Sequence, residues 1–524
     1  MSENKRPVNR TARPTAGTGT KTGTRTGARP ASSAARTGAS NKARTSSNPN
    51  KRPLPRRSAP RRKTVGGVDL ETVITLLVIL AVLAGVIVLM VLGIKNCSSR
   101  NTTKIDYDVA NIRPAVTDVP AADTTSAPDG TIASAAVTAP TATPVASVIG
   151  GRNLRTATIR TVGDFVIDVG LIDAAKSYAT LSGSKYPYDF HNMLSMISET
   201  MQNADFIVAN VDGSMGGKSH YKYGYSGYPQ FNTPEYLLDS LVDAGVDLLT
   251  LANNHMLDGW FDGLMDEIEN VEKAGIKHVG ANRSLAEKNT PVICEINGIR
   301  VGFMNYTVSL NDMENRGVDK KALEFGVNAV RNSDAAADAK LLREAGADVI
   351  VCYMHWGTEY YSTPDNDQKN LANKLVKAGV DVIMGGHPHV VQHAEWMSNT
   401  NQFGEMQRTL CVYSVGNFLS NHKVVKNKAG QSVNCDGGVI FDFTIQEKGD
   451  GSFEITAPAY LPVYVWTTGD SIRGYDYKIV PCGRFIVNKS RPVGMSDADY
   501  TAMQASYNFQ VNVMSEGVGT LILQ

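Results

Sequence analysis

One local pattern recurs four times between residues 233 and 384: a stretch of helical period, then Ala-Gly, then a short apolar run. The units are 233–244 with Gly245 and 246–251, 262–274 with Gly275 and 276–279, 334–345 with Gly346 and 347–353, and 368–378 with Gly379 and 380–384. A glycine so placed takes the left-handed conformation that ends a helix. Pro234 suits a first helical turn, where its missing N–H is no loss. Strands that read as continuous apolar runs are buried on both faces and need helices to cover them. The alternation therefore predicts an α/β sheet and not a tandem solenoid. After about Gly437 the pattern turns to strands, at 439–445, 453–456 and 461–466, expected to complete the sheet as mixed or antiparallel members.

Three of the apolar runs end in polar clusters. Ala252-Asn253-Asn254-His255 follows 247–251, Met354-His355-Trp356-Gly357 follows 348–353, and Gly385-Gly386-His387-Pro388-His389 follows 381–384. Gly163-Asp164 and Asn210-Val211-Asp212-Gly213 end two earlier runs in the same way. Open α/β sheets place ligands outside the carboxyl ends of their strands. Imidazoles and oxygen donors delivered there suit a divalent metal. A single strand-end Asp is most often a cap or turn residue, and a single loop histidine most often structural. Five clusters at one relative position point instead to a shared site. Asn417, after Tyr413-Ser414-Val415-Gly416, is either a substrate contact or a turn-stabilising residue. Residues 216–230 hold His220 and four tyrosines (Tyr221, Tyr223, Tyr225, Tyr228) among glycines, which reads as a mobile loop or as an aromatic lid over a polymer.

Charge is distributed unevenly along the 524 residues. Residues 1–63 carry 17 Lys and Arg against one acidic residue, Glu3, while the remainder carries 35 basic and 50 acidic residues. The first 67 residues hold hardly any large apolar side chains and are expected to be a disordered, basic cytoplasmic tail. No aromatic residues interleave with its charges, so a nucleic-acid partner is not expected. Val73 to Ile94 holds 22 uncharged, mostly aliphatic residues, about 33 Å as a helix and long enough to span a bilayer. A transmembrane helix is expected within 68–98, with Arg61-Arg62-Lys63 keeping the N-terminus in the cytoplasm and the C-terminal part outside the cell. Residues 99–152, rich in Thr, Ala and Pro, read as a linker. The main domain is expected over 153–466 and a C-terminal extension over 467–524. The six cysteines show no CxxC spacing, so a zinc knuckle is not expected, and a Cys435–Cys482 disulfide is left open.

Taken in order, Gly163-Asp164, Asn210 to Gly213, Ala252 to Asp258, His355 to Tyr360, Gly385 to His389 and Tyr413 to Phe418 resemble the motifs of the CapA family, named for poly-γ-glutamate capsule synthesis. The resemblance covers about Arg155 to Ile445. It implies a calcineurin-like metallophosphoesterase fold, a sandwich of two mixed β-sheets flanked by helices, with one or two divalent ions (Mn, Fe, Zn or Mg). Carried over by motif, Asp164 and His389 bind one metal, Asp212 bridges, and Asn254, His355 and His387 bind the second. His255, oriented by Asp258, protonates a leaving oxygen or stabilises charge on phosphate, and Asn210, Asn253 and Asn417 are candidate substrate contacts. Two departures stand out. The phosphoesterase pattern Asp-x-His meets Val166 here, so one histidine ligand is absent. The acidic residue of the second motif, usually Glu in CapA-like sequences, is Asp212.

Two functions fit. One is an extracellular metal-dependent hydrolase of phosphoesters or of a cell-envelope polymer. The other is a non-catalytic factor that binds an anionic polymer such as poly-γ-glutamate for export or anchoring, in company with polymer synthase subunits at the membrane. Retention of His255 and Asp258 favours the first, because a binding module needs no acid beside its ligands.

Overall fold

The computed structural model describes residues 153–469 and 474–523. The expected tail, membrane span and linker lie outside the described residues, among which no helix is long and apolar enough to cross a membrane.

Two mixed sheets form the body. The first has the order β16-β15-β14-β1-β2-β3-β4, where β1 is Thr156–Val166, β2 Phe206–Val211, β3 Leu248–Thr250, β4 Lys277–Val279, β14 Gly437–Glu447, β15 Phe453–Asp470 and β16 Gly474–Pro481. β11 (Asn417–Ser420) runs beside β1, and β17 (Thr520–Leu521) beside β15. The second sheet has the order β9-β10-β8-β7-β6-β5, from Val391–Thr400, Met406–Val415, Val382–Gly386, Val349–His355, Ile299–Thr307 and Val292–Ile296 respectively. A small hairpin of β12 (Val424–Lys426) and β13 (Ser432–Asn434) follows β11. β1, β2 and β3 are parallel to one another, as are β6, β7 and β8.

Three packed layers of side chains hold this together. Between the sheets lie Val208, Phe303, Val351 and Phe441, with the Phe206 and Phe303 rings stacked at 5.4 Å. The outer face of the first sheet is covered by helices α1 (Val169–Ser182), α4 (Leu237–Asp243) and α5 (Trp260–Lys273), through Leu171, Leu241, Leu264 and Ile268. The short helices α2 (His191–Leu194), α3 (Ser198–Met201) and α6 (Leu285–Lys288) fill connections. Helices α7 (Ala335–Glu344) and α8 (Asn366–Ala378) cover the second sheet through Leu342, Ala372 and Val376. Mixed sheets flanked by helices fit the metallophosphoesterase-like architecture.

The recurrent helix–Gly–strand units become α4–β3, α5–β4, α7–β7 and α8–β8. Gly346 and Gly379 both take a φ of 87° where expected. Helix α4 starts three residues later than Pro234 suggested, because Pro234 to Tyr236 form a turn with no side-chain cap. The expected boundary at 466/467 falls inside β15, and β16 pairs along it from Asp470↔Gly474 to Val463↔Pro481. Two further helices follow, α9 (Cys482–Val487) and α10 (Asp497–Ser515), and α10 packs on β9 and β15. Cys435 and Cys482 are separate buried thiols, so the disulfide left open by the sequence is not formed.

Two buried charges stand out in the framework. Arg160 on β1 makes a two-pronged pair with Asp442 on β14, Nε to Oδ1 at 2.9 Å and Nη2 to Oδ2 at 2.7 Å. Glu267 on α5 is fully buried, and neither carboxyl oxygen has a hydrogen-bond partner. Burial pushes it up to about 8, and the Met215 amide, close by but outside hydrogen-bonding geometry, draws it back only in part. Between about pH 4.5 and 8 the native state keeps a proton the unfolded chain has released, so this group weakens the fold as pH rises through that window. Glu267→Gln is therefore expected to stabilise by about 4 kcal/mol at pH 8 and by little at pH 5. Urea melts at the two pH values check it; an equal shift at both would contradict the assignment.

Candidate metal centre

The carboxyl ends of the parallel strands in both sheets meet at one place. Asp164 lies near the end of β1, Asp212 follows β2, and Asn253 to His255 follow β3. His355 is the last residue of β7, and His387 and His389 follow β8. Asn305 of β6 ties the sheets together beneath the site: its Oδ1 accepts from the Ala252 N–H at 2.6 Å and its Nδ2 donates to the Tyr353 carbonyl at 3.1 Å. Gly386 lies against the Asp164 carboxylate and the Tyr353 hydroxyl so closely that a Cβ there would strike both.

Asp164 is fully buried and held from three directions. It accepts from Asn210 Nδ2 at 2.8 Å, from the His387 N–H at 2.9 Å and from the Tyr353 hydroxyl at 3.3 Å. Burial by itself would raise its pKa, but the hydrogen bonds and charge of His389, with His387 and Asn210, carry it below the usual carboxylate range. Asp212 has fewer partners. Burial, with Asp164 nearby, pushes it up to about 6 against the pull of His389. Its two oxygens face different histidines: Oδ1 lies 3.5 Å from His355 Nε2, and Oδ2 lies 3.6 Å from His389 Nε2. His355 Nε2 also meets Asn254 Oδ1 at 2.8 Å.

The imidazoles split by environment. Burial and the neighbouring histidines hold His355 well below its ordinary value, and His387 is pushed down to about 3 for the same reason. Burial would also lower His389, but the Asp164 and Asp212 carboxylates outweigh it and raise it to about 9. His387 and His389 flank Pro388 and both take positive φ, 92° and 57°. Such a conformation costs a non-glycine residue about 1–3 kcal/mol and persists where the surroundings demand it.

These residues fit a metal. Asp212, His387 and His389 each offer a ligand atom within 4.8 Å of the others. Asp212 Oδ1, His355 Nδ1 and His387 Nδ1 are buried without a hydrogen-bond partner, an expensive state for a core unless a ligand satisfies it. The donors are nitrogen and oxygen, with no thiolate.

Beside the cluster lies a cleft of about 370 Å³ lined by Val166, Asp212, Tyr228, His255, His389 and His422, among others. Asp258 Oδ2 lies 2.8 Å from His255 Nδ1 and also accepts the Phe231 N–H at 2.7 Å. Burial would lower His255, but Asp258 and Asp212 raise it above its ordinary value. Phe231 meets the His255 ring edge-on at 4.7 Å.

The structure thus brings together Asp164, Asp212, Asn254, His255, Asp258, His355, His387 and His389. Asn210 and Asn253 lie deeper, fully buried. Asn210 spans Asp164 and the Thr250 hydroxyl, and Asn253 ties the Val211 and Gly213 carbonyls to the His255 N–H. Asn417 is buried between His389 and the Cys435 carbonyl. The 216–230 loop is pinned: Tyr221 is buried and meets Ser214, Tyr225 donates to Glu235 at 2.6 Å, and Tyr228 alone of the four tyrosines lines the cleft. Tyr353, Asn305 and His422 carry no motif signal in the sequence. The first two sit inside apolar strands, and His422 lies outside every cluster.

Residues 158–422 match the family model described as bacterial capsule synthesis protein PGA_cap. The capsule biosynthesis protein CapA of Bacillus anthracis is 27% identical over 277 residues, covering 52% of this chain and 61% of that protein. The PGA biosynthesis protein CapA of Bacillus subtilis (strain 168) is 25% identical, covering 51% of this chain and 64% of that one. A probable polyglutamine synthesis accessory protein of Mycobacterium tuberculosis is 28% identical over 150 residues, 26% of this chain and 38% of its own. The chain thus spans less than two thirds of the length of these relatives. Among solved structures, NAD nucleotidase of Haemophilus influenzae aligns over 71% of this chain and 65% of its own, at 11% identity and a TM-score of 0.34 that carries no argument. With half of its length matched by the family model and the motif residues gathered at one site, the chain belongs to the bacterial capsule synthesis family PGA_cap.

Proposed function

We propose that this protein is a membrane-anchored, metal-dependent hydrolase that works outside the cell in the production of poly-γ-glutamate or a related anionic envelope polymer. The observation that carries the reading is the pairing, in one cleft, of a buried N/O ligand cluster with the His255–Asp258 dyad. The names of the relatives support the polymer, and the apolar run 73–94 supports the anchor. Asp164, Asp212, Asn254, His355, His387 and His389 would hold one or two ions of Mn, Fe, Zn or Mg. Such ions supply a hydroxide at neutral pH and stabilise charge on the oxygens of the reacting group. Asp258 fixes His255 with Nδ1 inward, so that Nε2 can carry a proton to a departing oxygen or nitrogen. The substrate bond is a phosphoester or a γ-glutamyl amide.

A second reading, polymer binding without turnover, is favoured by one observation. Val166 stands in the cleft where the phosphoesterase pattern supplies a histidine.

One experiment separates them. The full chain, purified in detergent, loaded with manganese and desalted, is expected to retain one or two ions by mass spectrometry. It should then cleave phosphodiesters to a phosphomonoester and an alcohol, or shorten polyglutamate. Metal without turnover on either substrate class favours binding; no metal above background rejects the hydrolase.

A further inference from the structure

The position of Val166 has a counterpart elsewhere in the chain. β11 lies parallel to β1, with Asn417 level with Asp164 and Ser420 level with Val166. Two residues further on, the chain delivers His422 to the wall of the cleft that Val166, Asp212 and His389 also line. An imidazole is thus returned to the neighbourhood of position 166 from a different strand. Its ring stacks on that of His389 at 5.1 Å and 29°, and meets Tyr360 edge-on at 6.0 Å.

Asn417 determines what this imidazole can offer. Its Nδ2 donates to the Cys435 carbonyl at 2.9 Å, which fixes the amide's orientation. Its Oδ1 then accepts from His389 Nδ1 at 3.1 Å, which turns His389 Nε2 to the Asp212 side of the site. The same Nδ2 faces His422 Nδ1 at 3.4 Å, so that nitrogen accepts and a neutral His422 carries its proton on Nε2. His422 Nε2 has no hydrogen-bond partner among the described residues. One amide therefore orients two stacked imidazoles in opposite senses. With a metal bound, His389 Nε2 would give up its proton and present a lone pair; His422 presents a donor, which an oxyanion requires.

We propose that His422 is a substrate-binding residue whose Nε2–H donates to an oxygen of an anionic group, phosphoryl or carboxylate, held in the cleft beside the metal centre. The inference rests on the hydrolase reading for the identity of the cleft and deepens it by assigning a substrate contact. It also gives the absent histidine at 166 a physical sequel: a ligand position is replaced by an anion contact.

The test uses the full manganese-loaded chain in detergent, with His422→Ala and His422→Gln. Calorimetric titrations with inorganic phosphate and with a γ-linked glutamate oligomer read anion binding, and mass spectrometry reads manganese. His422→Ala is expected to weaken at least one anion about tenfold or more, with manganese content equal to wild type. His422→Gln, which keeps an N–H donor, is expected to recover part of the loss. The arm that responds identifies the group as phosphoryl or carboxylate. Unchanged affinity for both anions overturns the proposal, as does manganese lost from His422→Ala, which would make His422 a ligand. Absence of manganese from the wild-type chain rejects the hydrolase reading by itself, and the same anion titrations on the metal-free chain still decide His422.

Discussion

Asp212→Ala is expected to leave the chain folded and unable to retain metal, with affinity reduced at least about 100-fold. Turnover should fall to background with it. Asp212 is the one carboxylate whose oxygens face histidines from both sides of the site, His355 and His389. It is also the less satisfied of the two acids, since Oδ1 has no hydrogen-bond partner. A buried carboxylate with an oxygen left without a hydrogen bond costs stability in the metal-free chain. Asp212→Asn should therefore melt no lower than wild type when both are stripped of metal, and lower than wild type when both are loaded. Thermal melts with and without manganese read both signs. A loss of stability in the stripped variant would show that Asp212 holds the fold together and is not kept for its ligand role.

His255→Ala is expected to act on a different step. Manganese content should stay at the wild-type level, while kcat falls by about 100-fold to 10,000-fold. The ring touches Asp258 and Phe231, and its backbone N–H is held by Asn253, so the ligand residues keep their own supports when it is removed. Asp258→Asn should produce a smaller loss, about 10-fold to 100-fold, because it disturbs the tautomer of His255 and leaves the imidazole in place. Unaltered turnover in His255→Ala would remove the acid from the mechanism.

Much of the site was legible because strand ends are a one-dimensional signal. Asp164, Asp212, His355 and His387 each follow an apolar run, and a sheet aligns such ends without further information. The family resemblance implied two sheets, but which unit joins which sheet was not legible in the local pattern. The units ending at β3 and β4 have the same local grammar as those ending at β7 and β8, yet the first pair joins one sheet and the second pair the other. The second sheet starts at the β5–β6 hairpin, turned by Asn297-Gly298, and such a turn tells that two strands pair but not which sheet they join. Asn210 and Asn253 show the other limit. A polar residue at a strand end reads as a group facing a ligand. Here both amides turn inward, one to Asp164 and one to the backbone before His255. Tyr353 escapes for the converse reason: its ring belongs to the core between the sheets, and only its hydroxyl reaches Asp164.

The placement of β1 governs when the site can be assembled during synthesis. The strand that carries Asp164 lies between β2 and β14, and its base is clamped by Arg155 on Glu447, 292 positions later in the chain. Contacts of such span form late and make folding slow. The first half of the chain, as it is synthesised, holds Asp164 and Asp212 but neither the strand that closes their sheet nor the histidines of the second one. The ligand set and the sheet that carries Asp164 are therefore incomplete until the chain has been made to about Glu447.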